Sequence, residues 1–118
     1  MNPLSLITLL SGFIFAVCGV IFRYFPPKKI NPFYGYRTNS SMRNSETWEM
    51  ANRFAARLMV QLGILLAAVG IITFVLPPTP FTGTFIGIAL VILSAFMQFY
   101  FTEKHIRKTF DEHGNRKK

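Results

Sequence analysis

At 118 residues the chain has room for one small domain, and its 51% hydrophobic content is too rich for an ordinary soluble one. Thirteen Lys and Arg against five Asp and Glu give a formal net charge of +8. The basic residues stand in two blocks beside apolar runs, Lys28 to Arg57 and Lys104 to Lys118, which matches the positive-inside pattern and argues against direct nucleic-acid binding.

Three stretches, 3–25, 58–76 and 81–101, are almost continuously apolar, with Arg23 as their one charge. About 20 residues of helix cross roughly 30 Å of hydrocarbon, and none of the runs carries the polar stripe of a soluble bundle helix. Three transmembrane helices are predicted. In the first, Asn2-Pro3 suits a helix start, and Ser11, Gly12, Ala16 and Gly19 form a small-residue face. Arg23 and Tyr24 suit the interface, and Pro26-Pro27 stops the helix. The absence of a basic n-region and of a small-x-small site argues against a cleaved signal peptide. Cys18, the sole cysteine, is read as a packing residue and excludes an intrachain disulfide.

Residues 26–57 form a polar interruption with six of the thirteen Lys and Arg and the only Trp. Its first part, to about Asn44, has no periodicity and carries three prolines. Ile30, Phe33, Tyr34, Tyr36 and Met42 are too apolar for a disordered linker, and Gly35 between two tyrosines suggests a sharp bend. A helix is expected to start at Asn44 or Ser45, to place Glu46 and Glu49 at its positive end, and to run unbroken into the second span. Glu49 and Arg53 are spaced to pair.

Gly63, Ala67 and Gly70 make the second span another close-packing candidate, and the PPTP turn at 77–80 forces spans two and three into an antiparallel hairpin. The third span carries Gly83 and Gly87 at helix-contact spacing. Its helix is expected to continue to about Phe110, followed by a frayed basic end held near anionic lipid. The fold class is therefore an all-α membrane protein, a single membrane domain of residues 1–118. Loop 26–57 and tail 102–118, both basic, are placed in the cytoplasm and the N-terminus outside.

No Asp, Glu or His occupies the centre of a span, which disfavours a proton-coupled pump. His105 and His113 lie in the tail, eight apart, away from any nucleophile or ligand cluster. No catalytic residue, metal site or cofactor is assigned. What remains is the loop's basic and aromatic cluster, open to two readings. It anchors the chain at the headgroups, or it presents a docking surface with Arg37 as a forked donor.

The order Gly35-Tyr36-Arg37-Thr38, then Ser41 and Asn44, then Trp48, Ala51 and Asn52, with a transmembrane helix directly after, resembles the signature of the SdpI-like family. These are small bacterial membrane proteins named for immunity to a sporulation-delaying peptide toxin. The likeness covers most of the chain. Some members carry His where Asn52 stands, and longer members have additional spans. The resemblance implies a multi-pass protein of the bacterial inner (plasma) membrane that protects against or senses an antimicrobial peptide and docks a cytoplasmic regulator. Its motif residues would be Gly35, Tyr36, Arg37, Thr38, Asn44, Trp48 and Asn52. Two alternatives stay open. One is a membrane enzyme or lipid-binding protein with Arg37, Trp48 and Asn52 around a headgroup. The other is a small transporter subunit using Gln61 and Gln98. Expected partners are lipids with anionic headgroups, a peptide toxin and a regulator protein, with a homo-oligomer open through the small-residue faces.

Overall fold

A computed structural model describes residues 2–117. It contains three helices, α1 (Pro3–Tyr24), α2 (Ser45–Val75) and α3 (Pro80–Thr109). All three are long and apolar enough to cross a membrane. The cap of α1 is Asn2, whose side chain accepts from the Ser5 amide at 2.8 Å. Asn44 and Thr47 form a reciprocal capping box at the start of α2, so two otherwise orphaned amide donors are satisfied there. The irregular segment between α1 and α2 therefore ends at residue 44, and the rest of the 26–57 interruption is helix.

In the apolar region α1 and α2 pack antiparallel and very closely. A Cβ placed on Gly63 would lie 2.6 Å from the Ala16 nitrogen and the Gly12 oxygen, and one on Gly12 would lie 2.6 Å from the Gly63 oxygen. The small-residue face of α1 thus seats the backbone of α2, the arrangement that lets dispersion hold helices together without water. At the interhelical-turn end, Asn2 Nδ2 donates to the Thr73 carbonyl at 2.8 Å and Ser5 Oγ to the Gly70 carbonyl at 2.9 Å.

Helix α3 crosses this pair. Near its start Gly83 and Gly87 face Leu4 and Ile7 of α1, so the glycine spacing serves a contact within the chain. Near its end Gln98 Nε2 donates to the Ala55 carbonyl of α2 at 2.8 Å. Only 11% of the most apolar window of α3 is buried, against 28% for α1. Most of the third helix is therefore exposed on the single chain.

A buried apolar cluster lies beyond the spans. Ala51 of α2, Ile106 of α3 and Phe110 form a core, with Tyr36 and Met50 packed against it. Here the chain after α3 departs from the frayed end expected from sequence. Phe110 and Arg116 pair as an isolated antiparallel bridge, and Asp111 Oδ1 accepts from the amides of His113 and Asn115, both at 2.9 Å. Arg116 lies over the Phe110 ring at 5.1 Å and donates to Glu46 at 2.7 Å. The buried Phe110 ring and the Asp111 turn give this short basic stretch a reason to order that its composition conceals. Arg43 and Asn44 donate to the carbonyls of Asp111 and Gly114. Loop and tail thus form one polar head at the same end of the bundle.

Candidate functional site

The head is organised around the loop from Gly35 to Ser41, gripped from two sides. On the α2 side, Asn52 projects from the helix and binds the backbone of Tyr36 as a neighbouring strand would. Its Oδ1 accepts from the Tyr36 amide at 2.6 Å, and its Nδ2 donates to the Tyr36 carbonyl at 3.3 Å and to the Trp48 carbonyl at 2.9 Å. One turn earlier Trp48, 1% exposed, donates its indole Nε1 to the Pro27 carbonyl at 2.7 Å. Both side chains lie on one face because they are four residues apart.

Gly35 makes this approach geometrically feasible. Its φ is +107°, and a Cβ there would lie 2.6 Å from Asn52 Oδ1 and 2.6 Å from Pro27 Cγ. Any other residue would meet both backbone strain and a clash.

On the α3 side the grip is a single carboxylate. Glu103 accepts from the Tyr36 hydroxyl at 2.6 Å, from the Thr38 hydroxyl at 2.9 Å and from the Ser40 hydroxyl at 2.6 Å. Hydrogen bonds to an ionised acceptor are roughly twice as strong as neutral ones. Burial, reinforced by the adjoining carboxylate, pushes the Tyr36 phenol well above its ordinary range. The loop closes on itself through Ser41, whose hydroxyl accepts from the Thr38 amide at 2.8 Å while its own amide donates to Thr38 Oγ1 at 3.2 Å.

The structure brings Gly35, Tyr36, Thr38, Trp48 and Asn52 into one cluster. Asn44 stands at its edge, capping α2 and holding the tail. Arg37 does not converge with them. Its side chain is exposed and donates to the Pro32 carbonyl within the loop, because adjacent residues of an extended segment point to opposite sides and Tyr36 occupies the inner one. A headgroup site made of Arg37, Trp48 and Asn52 is therefore not formed. Trp48 and Asn52 also spend their polar atoms on backbone.

Three participants escaped the sequence reading: Glu103, Ser40 and the Pro27 carbonyl. Glu103 had a signal, being the sole acidic residue between Glu49 and Asp111. Beside it on α3, His105 stacks on Phe54 of α2 with ring centroids 4.4 Å apart. Burial lowers its pKa, and the nearby Arg57 and Lys108 lower it further.

The SdpI/YfhL protein family model matches residues 28–101, which include the loop, α2 and most of α3. The chain is similar to the "Uncharacterized protein YfhL" of Bacillus subtilis (strain 168), 34% identical over 113 residues that cover 92% of this chain and 94% of that protein. No solved structure matches it. A family model spanning most of the chain, a relative matched over nearly its whole length and a three-span helical architecture agree: the chain belongs to the SdpI/YfhL family of membrane proteins.

Proposed function

We propose that the protein is a non-enzymatic immunity or sensing protein of the bacterial inner membrane, with loop and tail in the cytoplasm. In this reading a membrane-active peptide contacts the spans and the head relays the event to a cytoplasmic regulator. The observation that carries the proposal is the double grip on the loop, with Asn52 of α2 on one side and Glu103 of α3 on the other. Since α3 is only loosely seated among the spans, a peptide that shifts it against α2 changes the separation of the two grips. Directed hydrogen bonds lose strength steeply with geometry. A small displacement would therefore release Tyr36, Thr38 and Ser40 together.

The surface that would respond is the outer rim of the loop. Ile30, Phe33 and Tyr34 are exposed there beside Lys28, Lys29 and Arg37, with Phe33 at 87% exposure. Exposed aromatic rings beside Arg37 suit a protein partner, since aromatic residues and Arg are enriched at interfaces. The role is supported as non-enzymatic by the occupancy of the head's polar groups. The Glu103 carboxylate and the Asn52 amide are engaged with the chain's own donors and acceptors.

The test is resistance of cells to membrane-active peptides with the gene present, deleted or carrying Glu103→Gln. Deletion is expected to raise sensitivity, and Glu103→Gln to alter the response while the protein still accumulates in the membrane. Unchanged sensitivity on deletion, together with failure of the loop to capture any cytoplasmic protein, would sink the proposal. A reporter fused to the C-terminus is expected on the cytoplasmic side, and the opposite result would overturn the assigned orientation.

A further inference from the structure

A second site adjoins the loop grip on α2, sharing Asn52 and Pro27 with it. A groove of about 570 Å³ opens between the end of α1, the first loop residues and α2. Four cations line it: Arg23 from α1, Lys28 from the loop, and Arg53 and Arg57 from α2. One carboxylate, Glu49, faces them, and it is paired with Arg53 at 2.5 Å. The lining therefore carries a formal charge of +3, four cations less one carboxylate. Among the described residues Arg23, Lys28 and Arg57 make no ion pair. Three uncompensated cations converging on one concavity repel each other, and an anion placed among them relieves that repulsion.

The position of the groove identifies the anion. Arg23 lies in the last turn of α1, one residue from its end, and Arg57 directly precedes the apolar run of α2. The groove therefore sits where hydrocarbon gives way to headgroups. Phe22 and Ala56 contribute apolar lining, and Val17, Val20 and Ile21 are exposed on the α1 turns just membrane-ward. A phosphate among the guanidinium groups would leave its acyl chains beside this apolar surface. Guanidinium forks suit a phosphodiester better than a lysine patch would. A soluble anion would use the cations and leave the apolar lining unoccupied.

We infer that this groove is a binding site for the phosphodiester headgroup of an anionic phospholipid. The site does not involve Arg37, and it does not depend on the immunity reading, because lipid retention is measured with no peptide present. It also gives the four cations a role beyond setting orientation.

The full-length protein, purified in a zwitterionic detergent, is titrated with phosphatidylglycerol, with phosphatidylcholine and with inorganic phosphate alone. Retained lipid is read by native mass spectrometry and binding by the emission of Trp48, whose indole is bonded to the groove-lining Pro27. Phosphatidylglycerol is expected to be retained in preference to phosphatidylcholine. Removing two groove cations in R53Q/R57Q should weaken its retention by roughly thirtyfold. The control K29Q/K104Q removes as much charge outside the groove and should leave retention unchanged. If R53Q/R57Q lowers helicity, the comparison passes to R23Q/K28Q, which changes the other wall and should weaken retention similarly. Equal retention of the two lipids, or equal losses in groove and control variants, would overturn the assignment. Binding of inorganic phosphate as tight as that of phosphatidylglycerol would overturn it too, by making the groove a general anion site.

Discussion

The spans and the polar head of this protein are held together by opposite means. Between α1 and α2 the decisive contact is backbone on backbone at Gly12 and Gly63. The hydroxyls of Thr8, Ser11 and Thr73 turn back to carbonyls one turn earlier in their own helices. Lipid is as apolar as a leucine side chain, so helices there gain nothing from hiding apolar surface, and close approach must do the work. In the head, water restores the hydrophobic drive. Trp48, Ile106 and Phe110 are buried, and the Trp48 indole and the Asn52 amide beside them are hydrogen-bonded. The spans are therefore sensitive to bulk at a few small residues, whereas the head is sensitive to the chemical identity of a few polar ones.

The contrast can be broken most sharply at Gly63. Replacing it with leucine drives a side chain into the backbone of α1, where no flexible neighbour can yield, and should cost about 3 kcal/mol or more. Because Trp48 is the only tryptophan and lies in the head, its emission follows the head while far-UV circular dichroism follows all three helices. Both signals should fail at lower denaturant in Gly63→Leu. If both kept the wild-type midpoint, the glycine contact would not be what holds the spans.

Asn52→Leu tests the other half of the comparison. It keeps the approximate volume but leaves the Tyr36 amide without its acceptor, while the Tyr36 carbonyl keeps only the Ser41 hydroxyl at 3.2 Å, a loss of about 1 to 3 kcal/mol. The Trp48 transition should move and the helical signal largely persist. A coincident fall of both would mean that head and spans are one cooperative unit.

Glu103→Gln is expected to be milder, about 1 to 2 kcal/mol, since an amide still offers one acceptor. It carries a spectroscopic signature as well. The raised phenol pKa of Tyr36 means that its contribution to stability is complete below about pH 10 and disappears as pH rises through the folded-state value. Glu103→Gln should bring that pKa part of the way down, burial being the larger cause, as read by phenolate absorbance against Tyr36→Phe. No change would remove Glu103 from the latch.

The smallest effect concerns His105. Its lowered pKa favours the neutral ring when folded, so its contribution is present above about pH 6.5 and is lost as pH falls through the folded-state value. Acidification from pH 7 to 5 should weaken the Trp48 transition slightly in the wild type and less in His105→Phe. An identical response in the two would assign the acid sensitivity elsewhere.

Much of the architecture could be read before any coordinates, because the signals are local. Span lengths follow from uninterrupted apolar runs, the start of α2 from the capping chemistry of Asn44 and Ser45, and the small-residue faces of α1 and α2 from Gly12, Ala16 and Gly63, although those residues do not say which helices the faces join. The site was legible only on its near side. Asn52, Trp48 and Gly35 lie within 18 residues of one another, so a pattern could point to them. Glu103 is 67 residues from Tyr36, and nothing local marks a carboxylate as the acceptor for a distant loop. Arg37 illustrates the converse. Its chemistry suited a site, but alternation along the chain turned it outward.

The sequence by itself determined a three-span helical membrane protein with basic charge gathered at one end, because hydropathy and helix capping are properties of short segments. Tertiary structure alone decided which polar residues meet. It ordered the tail through Phe110 and Asp111, gave the loop its second grip at Glu103, and set Arg23, Lys28, Arg53 and Arg57 around one groove. Each of these depends on how helices of given lengths cross, and that crossing is fixed by packing at positions far from the groups it brings together.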